Sequence, residues 1–425
     1  MLQLLNKIKA FLNKENSDYS KGDISPYDFH LTFYYILTYY KIINDEPTPY
    51  WAHFLKGFIG LVAFTNLCLG VLSTANGMTP FKLSVATEGG TYLIIVLYSI
   101  AIYFCSILNK PMYHCFLRIL KQDFHFICTK GHKYRTQFFE NQLRTWKLSI
   151  FAVVFTSVVT IGMIVLSVLL LLFYFVTHKT GDGSSRPLLL PLWFFDVDIR
   201  KSPFYEIAFN YSHVAELVAG LNYIFMIQTQ IVWVDHIKTK TDMVTWFLRD
   251  LFENLDYPGT EEQKKLYDKE IKKRLCNIVK HHQSMYELLE SYAGVYKKML
   301  MFEQKLCGPI VCLTSYCTLL QLEAGEFNGV LLLLGVASII LTYIPCHLCT
   351  TLSNRVSSIS DACKNASFWN ANPKIIRPYL VLMIQRSLRP LPLQAPGFEP
   401  HSLQTFYKAM VSAYSLFNML RQANV

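Results

Sequence analysis

The final segment of the chain carries polar side chains at helical spacing within a stretch long enough to cross a membrane. Ser412, Ser415, Met419 and Gln422 follow one another at steps of three and four residues, which places them on one face of a helix. Hydroxyl and amide groups on one face can line a water-filled path. The other interpretation is an ordinary final helix whose serines bond back to its own backbone. The stripe makes these four residues candidates for a pore.

A second polar row lies in the fourth apolar segment. Glu206, Asn210, His213, Glu216 and Gly220 recur at helical spacing among apolar neighbours. Ionisable groups are costly in hydrocarbon and normally face the interior of a helical bundle, so we expect this row to point inward. It forms either one wall of a ligand cavity or a set of hydrogen bonds that holds the helices together.

Two Cys and His pairs resemble fragments of metal sites. Cys346 and Cys349 have the spacing of half a zinc site, but a second ligand pair at suitable spacing is missing. His281 and His282 lie on a basic helix, where we expect a solvated surface pair. The chain also has no glycine-rich phosphate loop and no Gly-x-Ser-x-Gly motif. We therefore expect no enzyme activity, no metal and no cofactor.

Composition places the chain among membrane proteins. Hydrophobic residues make up 52% of the sequence and charged residues only 16%, against roughly 25% charged residues in soluble domains. Segments long enough to cross about 30 Å of hydrocarbon are predicted at 51–74, 87–108, 147–177, 205–234, 305–322, 328–352 and 402–421. The fold class is therefore an all-α polytopic membrane protein with seven transmembrane helices.

The distribution of Lys and Arg predicts the orientation. Segments 109–146, 235–304 and 353–401 carry seven, twelve and six of these residues, whereas the intervening connections carry one, four and none. The positive-inside rule assigns the first group to the cytoplasm. With seven spans, the N-terminus is then cytoplasmic and the C-terminus extracellular. This orientation is opposite to that of a G-protein-coupled receptor, and the net charge of +10 is a topology signal that implies no nucleic-acid partner.

The cytoplasmic segment before the fifth span carries a sustained heptad pattern. Its apolar positions alternate at steps of four and three, and only His282 interrupts their character. The positions are Ile271, Leu275, Ile278, His282, Met285, Leu289, Tyr292, Tyr296 and Met299. Such a seam predicts a long helix that continues into the fifth span and packs against other helices. It packs either within its own chain or, as an anchor, against other subunits.

These observations divide the chain into five regions. Residues 1–234 hold spans one to four and a cytoplasmic N-terminal segment, and 235–304 form the helical anchor. Residues 305–352 hold spans five and six, 353–400 a cytoplasmic loop with an inner helix, and 401–425 the final helix.

Several motifs, in this order and spacing, resemble those of insect odorant receptors. Tyr343-Ile-Pro-Cys-His-Leu-Cys-Thr-Thr-Leu352 ends span six, and Ile384-Gln-Arg-Ser-Leu-Arg-Pro-Leu-Pro-Leu393 precedes the final helix. Leu403-Gln-Thr-Phe406 and Ala413-Tyr-Ser415 lie within that helix, and Pro191-Leu-Trp-Phe-Phe-Asp196 lies in the second outer loop. The resemblance covers most of the chain beyond its first hundred residues, and the inverted topology agrees with it.

The resemblance implies an odorant-gated, non-selective cation channel that assembles as a tetramer with the shared odorant co-receptor, Orco, in the plasma membrane of olfactory neurons. Its partners would be small volatile hydrophobic ligands, membrane lipid and permeant cations. Similarity to the co-receptor's final helix would place Met419 at a hydrophobic constriction that closes by excluding water, with Gln422 just outside it. In the family the ligand lies in the outer half of the bundle. Candidate ligand-binding residues are Tyr92, Met163, Phe173, Phe209, His213, Glu216, Tyr316, Leu320 and Val330.

Three other functions remain open. A gustatory-type receptor channel shares the architecture, but its Thr-Tyr signature is absent here, where Thr405 precedes Phe406. A secondary transporter would show inverted internal repeats, and comparison of the two halves shows no convincing repeat. A G-protein-coupled chemoreceptor would need the opposite orientation.

Overall fold

The computed structural model describes residues 24–40, 42, 50–78, 83–177, 186–195, 197–256, 258–325, 328–366, 372–389, 393 and 399–423. Within these ranges the chain forms helices joined by short connections, and the predicted all-α class is confirmed. The helices are α1 (Tyr27–Tyr39), α2 (Tyr50–Met78), α3 (Leu83–Leu108), α4 (Lys110–Cys128), α5 (His132–Thr177), α6 (Phe204–Arg249), α7 (Glu261–Glu323), α8 (Gly329–Asn365), α9 (Pro373–Ser387) and α10 (Leu403–Ala423).

Six of the described helices, α2, α3 and α5 to α8, are long and apolar enough to cross a membrane. They correspond to the first six predicted spans. Helix α10 has 21 residues, or about 31 Å of rise, which matches the hydrocarbon thickness of about 30 Å. It is less apolar than the others because its exposed side carries Lys408, Ser412 and Ser415. The length of α10 thus suits a seventh span that has one polar side.

The predicted continuity of the anchor helix with span five is confirmed. Helix α7 has 63 residues and is about 95 Å long, roughly three times the thickness of the hydrocarbon layer. It begins with a capping box, in which the Thr260 side chain accepts from the Gln263 backbone N–H and the Gln263 side chain accepts from the Thr260 backbone N–H. Pro309 lies inside the helix without ending it. One continuous helix therefore joins the predicted anchor segment to the predicted span five.

The heptad seam of α7 is buried within its own chain. Leu275, Met285 and Leu289 are fully buried, and no member of the seam is more than 6% exposed. Helix α7 packs against α4, α6, α8 and α9 of the same chain. Trp233 Nε1 of α6 donates a hydrogen bond to the Leu288 carbonyl of α7 at 3.3 Å. The prediction of a helix with a packed seam is confirmed. The interpretation of this seam as a contact between subunits is wrong, because its own chain already covers it.

The expectation of a solvated His281–His282 pair is also wrong. His282 is a seam residue and is only 6% exposed, while His281 packs against the rings of Phe126 at 4.4 Å and Phe247 at 5.5 Å. Burial lowers the pKa of both imidazoles to about 4. The basic residues nearby suggested a surface, but the helical phase places His282 in the core.

A buried charged network joins α4 to α6 in the half of the bundle that is predicted to be cytoplasmic. The Lys240 ammonium lies 2.6 Å from Asp123 Oδ1, and His236 Nε2 lies 3.0 Å from Asp123 Oδ2. Burial opposes ionisation of Asp123, but the charge of Lys240 and the hydrogen bond from His236 together lower its pKa to about 2. Asp123 is therefore ionised, and loss of the Lys240 side chain would leave this buried charge uncompensated.

Candidate functional site

A cavity lies within the bundle between α3, α5, α6, α7 and α8, and α2 contributes one lining residue, Asn66. The volume open to the centre of a water-sized sphere is about 90 Å³. Apolar side chains form most of its wall, among them Ile95, Val96, Val159, Met163, Leu190, Leu306, Ile310, Leu334 and Leu341. Leu190 belongs to the connection between α5 and α6, so this connection closes the cavity at one point. The wall suits a small apolar molecule.

Two carboxyl groups face this apolar space from different helices. Glu216 is on α6 and Glu303 is on α7. Glu303 is only 5% exposed, and its Oε2 is buried without a hydrogen-bond partner among the described residues. Tyr98 and Tyr223 also line the cavity, and the Tyr98 hydroxyl lies 3.0 Å from Met226 Sδ. The cavity therefore combines an apolar wall with a small set of polar anchors.

The structure brings three of the predicted ligand-binding residues to the cavity: Tyr92, Met163 and Glu216. Val330 packs with Met163 and Leu189 in a small cluster beside it. Tyr316 is buried, with its hydroxyl lacking a hydrogen-bond partner among the described residues. Tyr92, Met163, Glu216 and Val330 therefore lie in or beside one cavity, whereas Tyr316 does not line it.

The remaining predicted ligand-binding residues lie elsewhere. Phe173 is 66% exposed near the end of α5. Phe209 is half-buried, and its ring lies 5.7 Å from that of Tyr205 and 4.3 Å from that of His213. Leu320 is half-buried near the end of α7. None of these lines the described cavity.

The predicted inward row of α6 is wrong at its outer end. Glu206 and Asn210 are exposed, and Glu206 accepts a hydrogen bond from Ser202 at 2.8 Å. Helix α6 begins at Phe204, so these two side chains occupy its first turns, where water reaches them. Glu216 and Gly220 keep the inward direction and line the cavity.

Sequence reasoning missed several residues of the cavity wall. Glu303 stands two residues before the predicted start of span five at 305, so the predicted boundaries place it in the anchor segment. Its spacing to Cys307 and Ile310 on the same helix was a usable signal, since residues four and seven apart share a face. Leu190 comes from a connection, and no periodicity could have found it.

The predicted pore residues lie on the exposed side of α10. Ser412, Ser415 and Gln422 are exposed, and Met419 is 58% exposed. The opposite side packs on the bundle, where Ala413 is buried and Phe417 is half-buried. The stripe is therefore not covered by its own chain.

Helix α10 is attached to α7 and α8 at its inner end. Gly308 of α7 faces Ala409 of α10, and a Cβ at Gly308 would lie 3.6 Å from the Ala409 carbonyl oxygen. Close to the start of α10, the Leu403 backbone N–H donates to Thr350 Oγ1 at 2.9 Å. These contacts join the candidate pore helix to a cavity-lining helix.

A salt bridge neutralises the lysine of α10. Lys408 Nζ lies 2.6 Å from Glu399 Oε1 and 2.8 Å from Glu399 Oε2. Both side chains are about half exposed. Because the carboxylate precedes the helix and folds back onto the lysine, this region of α10 carries no net charge.

Cys346 and Cys349 are both buried at the inner part of α8. Cys346 Sγ lies 3.2 Å from His401 Nε2, and Tyr292 lies near Cys349. Within the described ranges, no cluster of three or more His, Cys, Asp or Glu side chains is arranged to hold a metal ion. The pair is part of the packing between α8 and the residues that lead into α10.

Comparison with known proteins agrees with this architecture. The chain is 26% identical over 156 residues to Odorant receptor 85f of Drosophila melanogaster and 22% identical over 252 residues to Odorant receptor 67c of the same fly. These matches cover 37% and 59% of this chain and span only 39% and 58% of the relatives' own lengths.

The fold is that of a solved insect receptor. The structure of the olfactory receptor OR5 from Machilis hrabei superposes with a TM-score of 0.68 and 16% identity. Its complex with eugenol superposes with a TM-score of 0.66 and the same identity. Both comparisons cover 93% of this chain and 100% of the receptor.

The family model described as 7tm Odorant receptor matches residues 86–414, which is most of the chain. This region contains the cavity-lining helices α3 and α5 to α8 together with the attachment of α10. The chain therefore belongs to the 7tm odorant receptor family and is a multi-pass membrane protein.

Proposed function

We propose that the chain is an odorant-binding subunit of a non-selective cation channel in the plasma membrane of olfactory sensory neurons, and in their dendrites in particular. It assembles with the odorant co-receptor, Orco, and contributes α10 to a shared pore. The N-terminus is cytoplasmic and the C-terminus extracellular. The chain acts as a receptor and not as an enzyme.

One observation carries this proposal: the same two turns of α7 contact both the cavity and the pore helix. Glu303, Leu306, Cys307 and Ile310 line the cavity. Gln304, Lys305, Gly308 and Pro309 alternate with them and face the gap beside α10. When a ligand rotates or shifts this segment of α7, the movement therefore acts directly on α10.

The size of the cavity supports coupling between binding and movement. Its volume of about 90 Å³ is smaller than the roughly 150 Å³ of an engineered cavity that binds benzene. An odorant of ordinary size must therefore displace wall side chains when it enters. Receptor OR5, which has this fold, has been solved in complex with eugenol, which supports a small organic ligand for this chain.

The exposed side of α10 supports the pore and the partner. Tyr407 and Tyr414 are 68% and 67% exposed, and Met419 is 58% exposed. Apolar side chains on a pore helix are expected to be covered by neighbouring subunits or to meet at the axis. We propose that Met419 closes the pore by excluding water and that Ser412, Ser415 and Gln422 line the rest of the path.

Patch recording tests this function. Three expression conditions are compared: this chain alone, this chain with the co-receptor, and the co-receptor alone. A panel of volatile esters, ketones, alcohols and amines is applied to each. Volatile-evoked cation current that depends on this chain is the expected result. A tag after Val425 should be labelled on intact cells. Absence of current at normal surface expression, or labelling only after permeabilisation, would contradict the proposal.

A further inference from the structure

Among the residues that the structure describes, no cationic side chain, whether lysine, arginine or histidine, lines the cavity beside its two carboxyl groups. Glu303 is more than nine-tenths buried, and its Oε2 lacks a hydrogen-bond partner in the described part of the chain. A carboxyl group left in this state is costly in an apolar environment, so Glu303 is an anchor that a ligand can satisfy.

A second carboxyl group and aromatic rings surround the same space. Glu216 and Tyr223 lie seven residues apart on the inward face of α6. Glu303 of α7 lines the same cavity as Glu216 and Tyr223, so the three groups border one space. The faces of tyrosine rings attract cations, and more strongly when water is excluded.

We propose that the cavity recognises small volatile amines, with Glu303 as the principal anchor and Glu216 as the second. This inference rests on the proposed odorant-receptor function and assigns the class of its ligand. The amine enters in its neutral, volatile form and accepts the proton of the Glu303 carboxyl group, which leaves an ammonium–carboxylate pair. No other reactant is needed, and the proton is conserved within the pair.

The composition of the cavity wall favours an amine over an inorganic cation as the ligand. A sodium ion requires several oxygen ligands or retained water, whereas most of this wall consists of side chains such as Ile95, Val96, Leu306 and Ile310. An alkylamine or arylalkylamine offers an apolar body to these side chains and one cationic group to the carboxylate. Burial of the ammonium charge is costly unless an opposite charge lies beside it, and the carboxylate of the cavity supplies that charge.

The test uses volatiles in pairs that share one carbon skeleton. Butylamine is compared with butan-1-ol, 3-methylbutylamine with 3-methylbutan-1-ol, benzylamine with benzyl alcohol, and 2-phenylethylamine with 2-phenylethanol, together with a panel of esters. Recordings are made from the full chain with the co-receptor. We expect at least one amine to be about tenfold or more potent than its alcohol, which corresponds to about 1.4 kcal/mol.

Glu303→Gln keeps the shape of the side chain and removes its acid, so it should lower the potency of the amine by about tenfold relative to that of its matched alcohol. Glu216→Gln should reduce the advantage by a smaller factor. Glu323→Gln, at the exposed end of α7, is the matched control and should retain it. Surface labelling of each variant separates loss of recognition from loss of folding.

Alcohols that equal or exceed the amines in every pair would overturn this inference, as would an amine advantage that survives both Glu303→Gln and Glu216→Gln. Responses to esters without any response to amines would overturn it and leave the proposed function intact. Silence to every volatile at normal surface expression would overturn the proposed function and this inference together.

Discussion

Gly308 of α7 packs against the backbone of Ala409 of α10: a Cβ at Gly308 would make an ordinary contact, at 3.6 Å, with the Ala409 carbonyl oxygen. The two residues thus form a point of contact between the helix that lines the cavity and the helix assigned to the pore.

Gly308→Leu should therefore separate α10 from α7 and reduce the maximal odorant-evoked current. Residues that couple two sites typically contribute about 0.5 to 2 kcal/mol, or roughly two- to thirtyfold in the gating equilibrium. Gly308→Ala is the control, since its methyl group makes only an ordinary contact. Equal currents from the two variants at equal surface expression would show that this contact does not transmit gating.

The Lys408–Glu399 salt bridge should affect conduction more than stability. Exposed pairs contribute about 0 to 1 kcal/mol to folding, and both side chains are about half exposed. Glu399→Gln leaves the Lys408 cation unpaired on α10, so single-channel cation conductance should fall. The double variant Glu399→Gln, Lys408→Gln should restore it. Conductance that is unchanged in the single variant, or unrestored in the double variant, would contradict this role.

Leu275→Asp should destabilise the chain itself, because Leu275 is fully buried among helices of its own chain. An unpaired buried carboxylate costs several kcal/mol, so surface expression and the melting temperature should both fall. Asn277→Asp adds the same group at an exposed position two residues away and should change little. A stable Leu275→Asp chain that fails only to assemble would restore the seam as an interface between subunits.

Acidification should destabilise the cytoplasmic anchor. Burial lowers the pKa of His281 and His282 from 6.5 to about 4, so between these values the unfolded chain binds more protons than the folded chain. Stability is therefore full above about pH 6.5 and is lost as pH falls toward 4.

Melting temperatures of the purified protein between pH 7 and pH 5 measure this effect. His282→Gln should flatten the dependence on pH, whereas His125→Gln, at an exposed position on α4, should leave it unchanged. A parallel pH dependence in all three proteins would mean that His282 does not carry the proton linkage.

Hydrophobic periodicity and segment length were enough to predict the helices. The steps of four and three from Ile271 to Met299 define one continuous helix, and the hydrophobic stretches locate the spans. The helices α5 to α8 extend well beyond the hydrophobic stretches, because their amphipathic ends continue the helix outside the apolar segment. Helical spacing also placed Ser412, Ser415, Met419 and Gln422 on one face of the last helix. In the structure this face is exposed and lies opposite the packed Ala413 and Phe417.

The features that could not be predicted depend on packing partners that are distant in the sequence. The seam could be assigned to a helix but not to a partner, because its pattern is the same whether the covering helix belongs to this chain or to another. Glu303 was missed because the predicted span five begins only at residue 305, whereas the side chain is buried and faces the cavity within the bundle. Leu190 reaches the cavity from a connection, and Phe173 lies outside it although it shares a helix with Met163.

Thiol accessibility on α10 during odorant-evoked current tests the central claim most directly. Cysteine is introduced at Met419 or, as the matched control, at Phe417, and a water-soluble thiol reagent is applied from outside, with the parent chain showing any effect on native cysteines. We predict that the reagent alters the current of Met419→Cys and spares Phe417→Cys, because the first side chain is exposed and the second packs on the bundle. Modification of Phe417→Cys with an inert Met419→Cys would contradict the account and assign the pore to another helix.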